Sequence, residues 1–151
     1  MRIGFDLDGV ILKTNLAILR LMDLEKSKKK REEVYMYYYN NPEILLNPFD
    51  YASEEDIVFI ITARSIKYKV PTLKFVDKYF PRANLVLLDH KEPKANEDMD
   101  KWYDKQAELK ANAINQLKID VYFEDSWKVV KRLRELCPNC KVIHFSKNRI
   151  E

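Results

Sequence analysis

The sequence predicts an α/β fold, a parallel sheet of five short strands covered on both faces by helices. Three observations carry this reading. Apolar runs at 2–5, 57–61, 84–88, 120–124 and 141–145 are rich in β-branched and aromatic residues and bounded by polar ones, as strands buried on both faces are. Helical spacing of apolar residues marks 66–80, 101–117 and 126–136. Helix and strand alternate along the chain, which makes the strands parallel and lays the helices over the sheet.

The first strand, 2–5, runs straight into Asp6. The stretch 14–56 then interrupts the alternation. Leu16, Ile18, Leu19, Leu21 and Met22 suggest a helix, 26–31 is basic, Tyr35, Tyr37, Tyr38 and Tyr39 cluster, and Pro42 and Pro48 punctuate the remainder. A structureless loop of that length is uncommon in a compact domain, so 14–56 reads as a small helical insert standing over the sheet. The helix at 66–80 stops before Pro81, and the one at 126–136 stops shortly before Pro138. No repeat or low-complexity linker divides the 151 residues, and residues 1–151 read as one domain.

Composition narrows the function. The chain is 46% hydrophobic and holds nine Tyr, seven Phe and two Trp, which excludes a disordered chain. No apolar run reaches the roughly 18 residues of a membrane span. The first residues meet acid at Asp6, unlike a signal peptide, so a soluble cytoplasmic protein is expected. The 27 basic residues exceed the 24 acidic ones by only three, too few for a nucleic-acid footprint. Gly4 and Gly9 are the two glycines, which excludes a Gly-x-Gly-x-x-Gly dinucleotide loop and a Gly-x-Ser-x-Gly nucleophile elbow. Their spacing suits a P-loop, but Val10-Ile11 stand where Lys and Ser or Thr are needed, and Asp6 and Asp8 would repel phosphate. Cys137-Pro138-Asn139-Cys140 supplies half the ligands of a structural zinc site and reads as a helix-to-strand turn with two thiols; a disulfide, or a zinc shared between chains, stays open.

Ligands of open parallel sheets bind beyond the carboxyl ends of the strands. There the chain places Asp6-Leu7-Asp8-Gly9-Val10, Thr62-Ala63-Arg64-Ser65, Asp89-His90, Glu124-Asp125-Ser126 and Ser146-Lys147. Four carboxylates at two neighbouring strand ends would repel one another if left bare. A hard divalent cation with oxygen ligands resolves the repulsion, and Mg²⁺ is the usual one in phosphate chemistry. Thr62 adds a hydroxyl donor and Lys110 a fixed charge.

These residues resemble the motifs of the haloacid-dehalogenase-like superfamily of phosphohydrolases. Asp6-Leu7-Asp8-Gly9-Val10 is similar to its first motif, Thr62 to the second, Lys110 to the third and Glu124-Asp125 to the fourth, in order along nearly the whole chain. The resemblance implies a three-layer Rossmann-like sheet of order 5-4-1-2-3, with 14–56 as a small helical cap that chooses the substrate. It implies that Asp6 is the nucleophile and Asp8 the acid and base. The chain must then turn just after the strand, which Gly9 permits. Mg²⁺ would bind the Asp6 carboxylate, the Asp8 backbone carbonyl and Asp125, with Glu124 on a metal-bound water or just outside the ligands. Thr62, Ala63 and Lys110 would hold the phosphoryl group, with Lys118 the rival for the lysine's role. Arg64, Tyr35 and Tyr38 are candidate substrate contacts. The phrases 6–10, 62–64 and 119–126 look most like the 5′-nucleotidase and deoxyribonucleotidase relatives, so the expected substrate is a small phosphomonoester such as a nucleoside monophosphate.

Two other readings compete. A receiver-like phospho-acceptor module would use Asp89 with Lys147, but receivers carry an adjacent acid pair after strand one and no such insert. A nucleic-acid end phosphatase would use Arg20 and the basic run 26–31 to track a phosphate backbone; Glu25, Glu32 and Glu33 balance that run.

Overall fold

The computed structural model describes residues 1–13, 27–93, 96–146 and the short strand at 149–150. The helix expected around Leu16–Met22, with Arg20 in it, and the residues Lys26 and Lys147 lie outside the described residues.

Strands β1 (Arg2–Phe5), β2 (Ile57–Thr62), β3 (Asn84–Leu87), β4 (Val121–Glu124) and β5 (Lys141–Ser146) form a parallel sheet of order β3-β2-β1-β4-β5, as the sequence led us to expect. A sixth strand, β6 (Arg149–Ile150), adds antiparallel to β5 at the edge. Two residues are too few to show a period of two, so this strand has no signature in the sequence.

The helices are α1 (Lys28–Asn40), α2 (Lys69–Tyr79), α3 (Met99–Leu117) and α4 (Trp127–Leu136). Helix α3 starts two residues earlier than expected because the Asp98 side chain accepts from the N–H groups of Asp100 and Lys101. It ends on Lys118 in the left-handed conformation, φ 52°, a role glycine usually takes. The stretch expected as one helix from 66 begins instead with a 3-10 turn, Ile66–Tyr68, before α2. Pro71 then falls in the first turn of α2, where its missing N–H breaks no intrahelical bond.

Alternate residues of each strand face opposite layers. Val58 and Ile60 of β2 join Ile3, Phe5, Phe75, Val76 and Phe80 on one face, which α2 covers. Phe59 and Ile61 join Ala107, Ala111, Ile114, Val130 and Leu133 on the other, under α3 and α4. Leu45, Leu46 and Phe49, from the end of the 14–56 stretch, pack on the first face beside α2. Residues just before that stretch pair with residues late in it: Lys13 N–H donates to Glu43 O at 2.9 Å and Leu45 N–H to Ile11 O at 2.7 Å. Each fully buried large apolar side chain contributes roughly 1.5–3 kcal/mol, and this two-sided core offsets the cost of burying charge at the carboxyl end of the sheet.

Gly4, central in β1, tightens that second face. A Cβ there would lie 2.9 Å from a Tyr122 ring carbon. Glycine lets the Tyr122 ring lie against β1, and its hydroxyl reaches the carboxyl end of β4. Among the described residues no helix is long and apolar enough to cross a membrane.

Candidate active site

Asp6 is the first residue past β1. Its N–H still bonds to Phe123 O at 2.9 Å, which keeps it in register with β4. The chain then turns, as Gly9 led us to expect. The N–H groups of Ile11 and Leu12 both close on Leu7 O, at 3.0 and 2.9 Å, and Gly9 N–H bonds to Leu12 O at 2.8 Å. Gly9 has φ 87°, which L side chains rarely adopt, and a Cβ there would overlap the Asp125 carboxylate. Leu7, Val10, Ile11 and Leu12 are buried beneath the turn and make it a rigid ledge. The turn swings Asp8 round to the side on which Asp6 opens.

Lys110 crosses from α3 to the same place. Its side chain is 0% exposed, with Nζ 2.7 Å from Glu124 Oε2 and 3.2 Å from Asp6 Oδ1. Asp6 Oδ1 also accepts from Leu7 N–H at 2.9 Å. The Tyr122 hydroxyl donates to Glu124 Oε2 at 3.2 Å, whereas the buried Glu124 Oε1 has no hydrogen-bond partner. Asp6, Glu124 and Asp125 each offer an oxygen, and these oxygens lie within 4.8 Å of one another. One ammonium faces three carboxylates, so two negative charges are left uncompensated when all are ionised.

The carboxyl groups respond to this crowding. Burial, then the neighbouring Glu124, pushes Asp6 up to about 7 against the pull of Lys110. Burial, then Asp6, pushes Asp125 up to about 8. Burial likewise raises Glu124. Burial alone would lower Lys110, but the Asp6 and Glu124 carboxylates outweigh it and keep the ammonium charged. An orphaned buried carboxylate oxygen, three hard oxygen donors and surplus negative charge fit a hard metal cation.

The end of β2 completes the site's other wall. Thr62 is buried, and its Oγ1 accepts from Arg64 N–H at 3.2 Å, which fixes the tight run through Ala63. Arg64 turns inward. Its Nε donates to Asp8 Oδ2 at 2.9 Å, one terminal nitrogen to Asp8 Oδ1 at 2.7 Å, and the other to Thr72 Oγ1 at 2.9 Å. Thr72 in turn donates to Tyr68 O at 2.8 Å. The Tyr39 ring of α1 lies 3.7 Å from the guanidinium carbon and covers it.

The structure thus brings Asp6, Asp8, Gly9, Thr62, Ala63, Arg64, Lys110, Glu124 and Asp125 to one end of the sheet. It separates Lys118, which caps α3 near the amino ends of the strands, so the lysine beside the acids is Lys110. Of the tyrosines, Tyr35 packs in a ring cluster with Tyr39 and Tyr68, at 5.8 and 5.7 Å between centroids. The Tyr38 hydroxyl donates to Lys13 O at 2.8 Å. Asp89 is exposed and accepts from Ile66 N–H at 2.7 Å, apart from the acid cluster. Lys28, Lys29 and Lys30 are exposed on α1. Cys137 and Cys140 are free thiols, both pushed upward by burial, Cys140 to about 12.

Three residues that build the site were not singled out for it from the sequence. Tyr122 stands two positions before Glu124, on the same face of β4, so strand alternation could have found it. Tyr39 was visible as part of the tyrosine cluster, but only the packing of α1 picks it over its neighbours. Thr72 carries no signal, because a lone threonine in a helix is ordinary.

Comparison with known proteins bears on the fold. Over 95% of this chain and 85% of the other, the structure is similar to the crystal structure of a HAD-superfamily hydrolase, subfamily IA, variant 1, from Geobacter sulfurreducens, with a TM-score of 0.50 and 14% sequence identity. At that identity the likeness shows the fold alone, a Rossmann-like parallel sheet. No family model and no curated protein matches the sequence.

Proposed function

We propose that this protein is a divalent-cation-dependent phosphomonoester hydrolase that works through an aspartyl-phosphate on Asp6. The observation that carries the reading is the buried cluster of Asp6, Lys110, Glu124 and Asp125 beyond the strand ends, with Glu124 Oε1 unpartnered inside it. Charge of that density in a sheet otherwise packed with Phe, Ile and Val needs a task, and a buried carboxyl group held near neutrality is a common feature of catalytic sites.

The Asp6 and Asp125 carboxylates and the Asp8 backbone carbonyl would hold the cation, with Glu124 beside them. Bound there, Mg²⁺ would neutralise charge on the phosphoryl group. The chain's own residues supply the rest. An Asp6 carboxylate oxygen forms the bond to phosphorus as the ester oxygen leaves. The Asp8 carboxyl gives its proton to that leaving oxygen, so an alcohol departs. Water then attacks the phosphorus of the aspartyl-phosphate and gives its proton to Asp8, which releases phosphate and restores Asp6. Lys110, the Thr62 hydroxyl and the Ala63 N–H donate to the phosphoryl oxygens as charge moves onto them.

Small phosphomonoesters are the proposed substrates, with nucleoside monophosphates first because of the resemblance of 6–10, 62–64 and 119–126. The insert 14–56 serves as the cap over the site, and a cytoplasmic setting fits free thiols at Cys137 and Cys140. The test is phosphate release from a panel of phosphomonoesters, including nucleoside 5′- and 3′-monophosphates, with Mg²⁺ and with chelator. Turnover is expected with Mg²⁺ alone and is lost in Asp6→Asn, whose circular dichroism stays that of the wild type. Failure of the wild type on every ester refutes the reading.

A further inference from the structure

We infer that Arg64 is a positioning residue for Asp8: it holds the general acid from behind, facing the substrate, and does not itself touch substrate. The inference rests on the phosphatase reading and deepens it.

Three features of the geometry support it. The pair is bidentate, two N–H donors on two carboxylate oxygens at 2.9 and 2.7 Å, which fixes the plane of the carboxyl group as well as its place. The pair is also one-sided. The Arg64 side chain is 2% exposed while that of Asp8 is 31% exposed, so the carboxyl group fronts the open side and the guanidinium lies behind it. Finally, the guanidinium is itself fixed. Its remaining terminal nitrogen donates to Thr72 Oγ1 at 2.9 Å, Thr72 is tied to Tyr68 O at 2.8 Å, and Tyr39 lies over the guanidinium. Three of its five N–H groups are engaged, Tyr39 covers one face, and with the side chain 2% exposed Arg64 has no open route to a phosphoryl oxygen.

A carboxylate oxygen has two lone-pair directions, and the fork takes one on each oxygen. The outward pair on the exposed side remains for the proton that Asp8 gives to the leaving oxygen and regains from water. Arg64 therefore acts only where proton transfer matters. An ester with a poor leaving group, such as glycerol phosphate, needs the proton as its P–O bond breaks. An ester with a very good one, such as 2,4-dinitrophenyl phosphate, leaves as a stable anion without it.

That difference supplies the test. In Arg64→Lys, which keeps the charge but loses the fork, kcat/KM on glycerol phosphate, which reads the steps up to departure of the alcohol, is expected to fall about 100-fold, the scale of a displaced general acid. Loss of kcat/KM on 2,4-dinitrophenyl phosphate is expected to stay under about fivefold, because transfer of its phosphoryl group to Asp6 does not need the proton; the later attack of water, where Asp8 is the base for both esters, does not enter kcat/KM. Thr72→Val, which removes the anchor and leaves Asp8 and Arg64 in place, is expected to show the same selectivity at smaller amplitude; it decides the matter if Arg64→Lys does not fold by circular dichroism. Equal losses of kcat/KM on both esters in a folded variant would overturn the inference, as would a raised KM with unchanged kcat, the mark of a substrate contact. A wild type that turns over neither ester refutes the phosphatase reading itself, and the inference falls with it.

Discussion

Replacing Lys110 by Met removes the cation from the acid cluster while keeping much of the stem's volume. Its Nζ sits 2.7 Å from Glu124 and 3.2 Å from Asp6, with the side chain wholly buried. Breaking a buried ion pair by deleting one partner costs about 3–5 kcal/mol, since the other charge is left buried and unpaired. Two carboxylates lose their partner here, which argues for the upper half of that range. Asp6 already reaches about 7, so near neutrality it sheds part of its charge and brings the cost back toward the lower half. About 4 kcal/mol is the resulting expectation at a pH of about 7.5. For a chain of this length each kcal/mol moves the melting temperature by about 2–4 °C, so Lys110→Met should melt about 12 °C lower. The assay is thermal unfolding followed by circular dichroism, in chelator so that no cation takes the lysine's place. Adding Glu124→Gln to Lys110→Met should restore more than half of the loss, because the second change removes the charge the first one stranded. A melting temperature within about 3 °C of the wild type, or a double variant no more stable than the single one, would refute the argument that Lys110 compensates these acids.

Two further predictions concern the same cluster. In chelator, stability should fall as pH rises from about 4 to about 8. Asp6 and Asp125 hold their protons to about 7 and about 8 in the folded protein but release them near 4 when unfolded, so the native state binds more protons across that window. Urea unfolding at pH 5 and pH 8 reads the slope, and Mg²⁺ should recover stability at pH 8 more than at pH 5; stability that rises with pH in chelator would contradict the crowding of these acids. Gly9→Ala should cost about 1–2 kcal/mol for the left-handed backbone alone, and it should raise the Mg²⁺ concentration needed for half-maximal activity because the new methyl displaces the Asp125 carboxylate. Urea unfolding and a Mg²⁺ titration of turnover measure the two effects separately.

The acids were legible because they are chain neighbours of strands. Asp6 and Asp8 follow β1 and Glu124-Asp125 close β4, so finding the strands by their apolar runs finds the carboxylates. The strands themselves were legible because a sheet buried on both faces demands short apolar runs, and alternation with helices makes it parallel. Gly9 was readable as a turn for the same local reason, in a chain with one other glycine. The order of the strands came with the resemblance of the motifs, not with the apolar runs, which say nothing about which strand lies beside which.

Short-range pattern thus settles the strands and the carboxylates that close them, since each depends on residues a few positions apart. How those carboxylates are compensated is settled by the folded chain. Lys110 and Lys118 are both candidate lysines in the sequence, and the turn of α3 that faces β4 selects the first. Arg64 and Asp8 are 56 positions apart, and nothing between them announces a fork. Their pairing exists because β1 and β2 are hydrogen-bonded neighbours whose ends turn toward each other, while Thr72 and Tyr39, from two different helices, fix the guanidinium between them. Contacts of that kind depend on register and helix rotation, which are set by the packing of the whole core and leave no periodicity in the sequence.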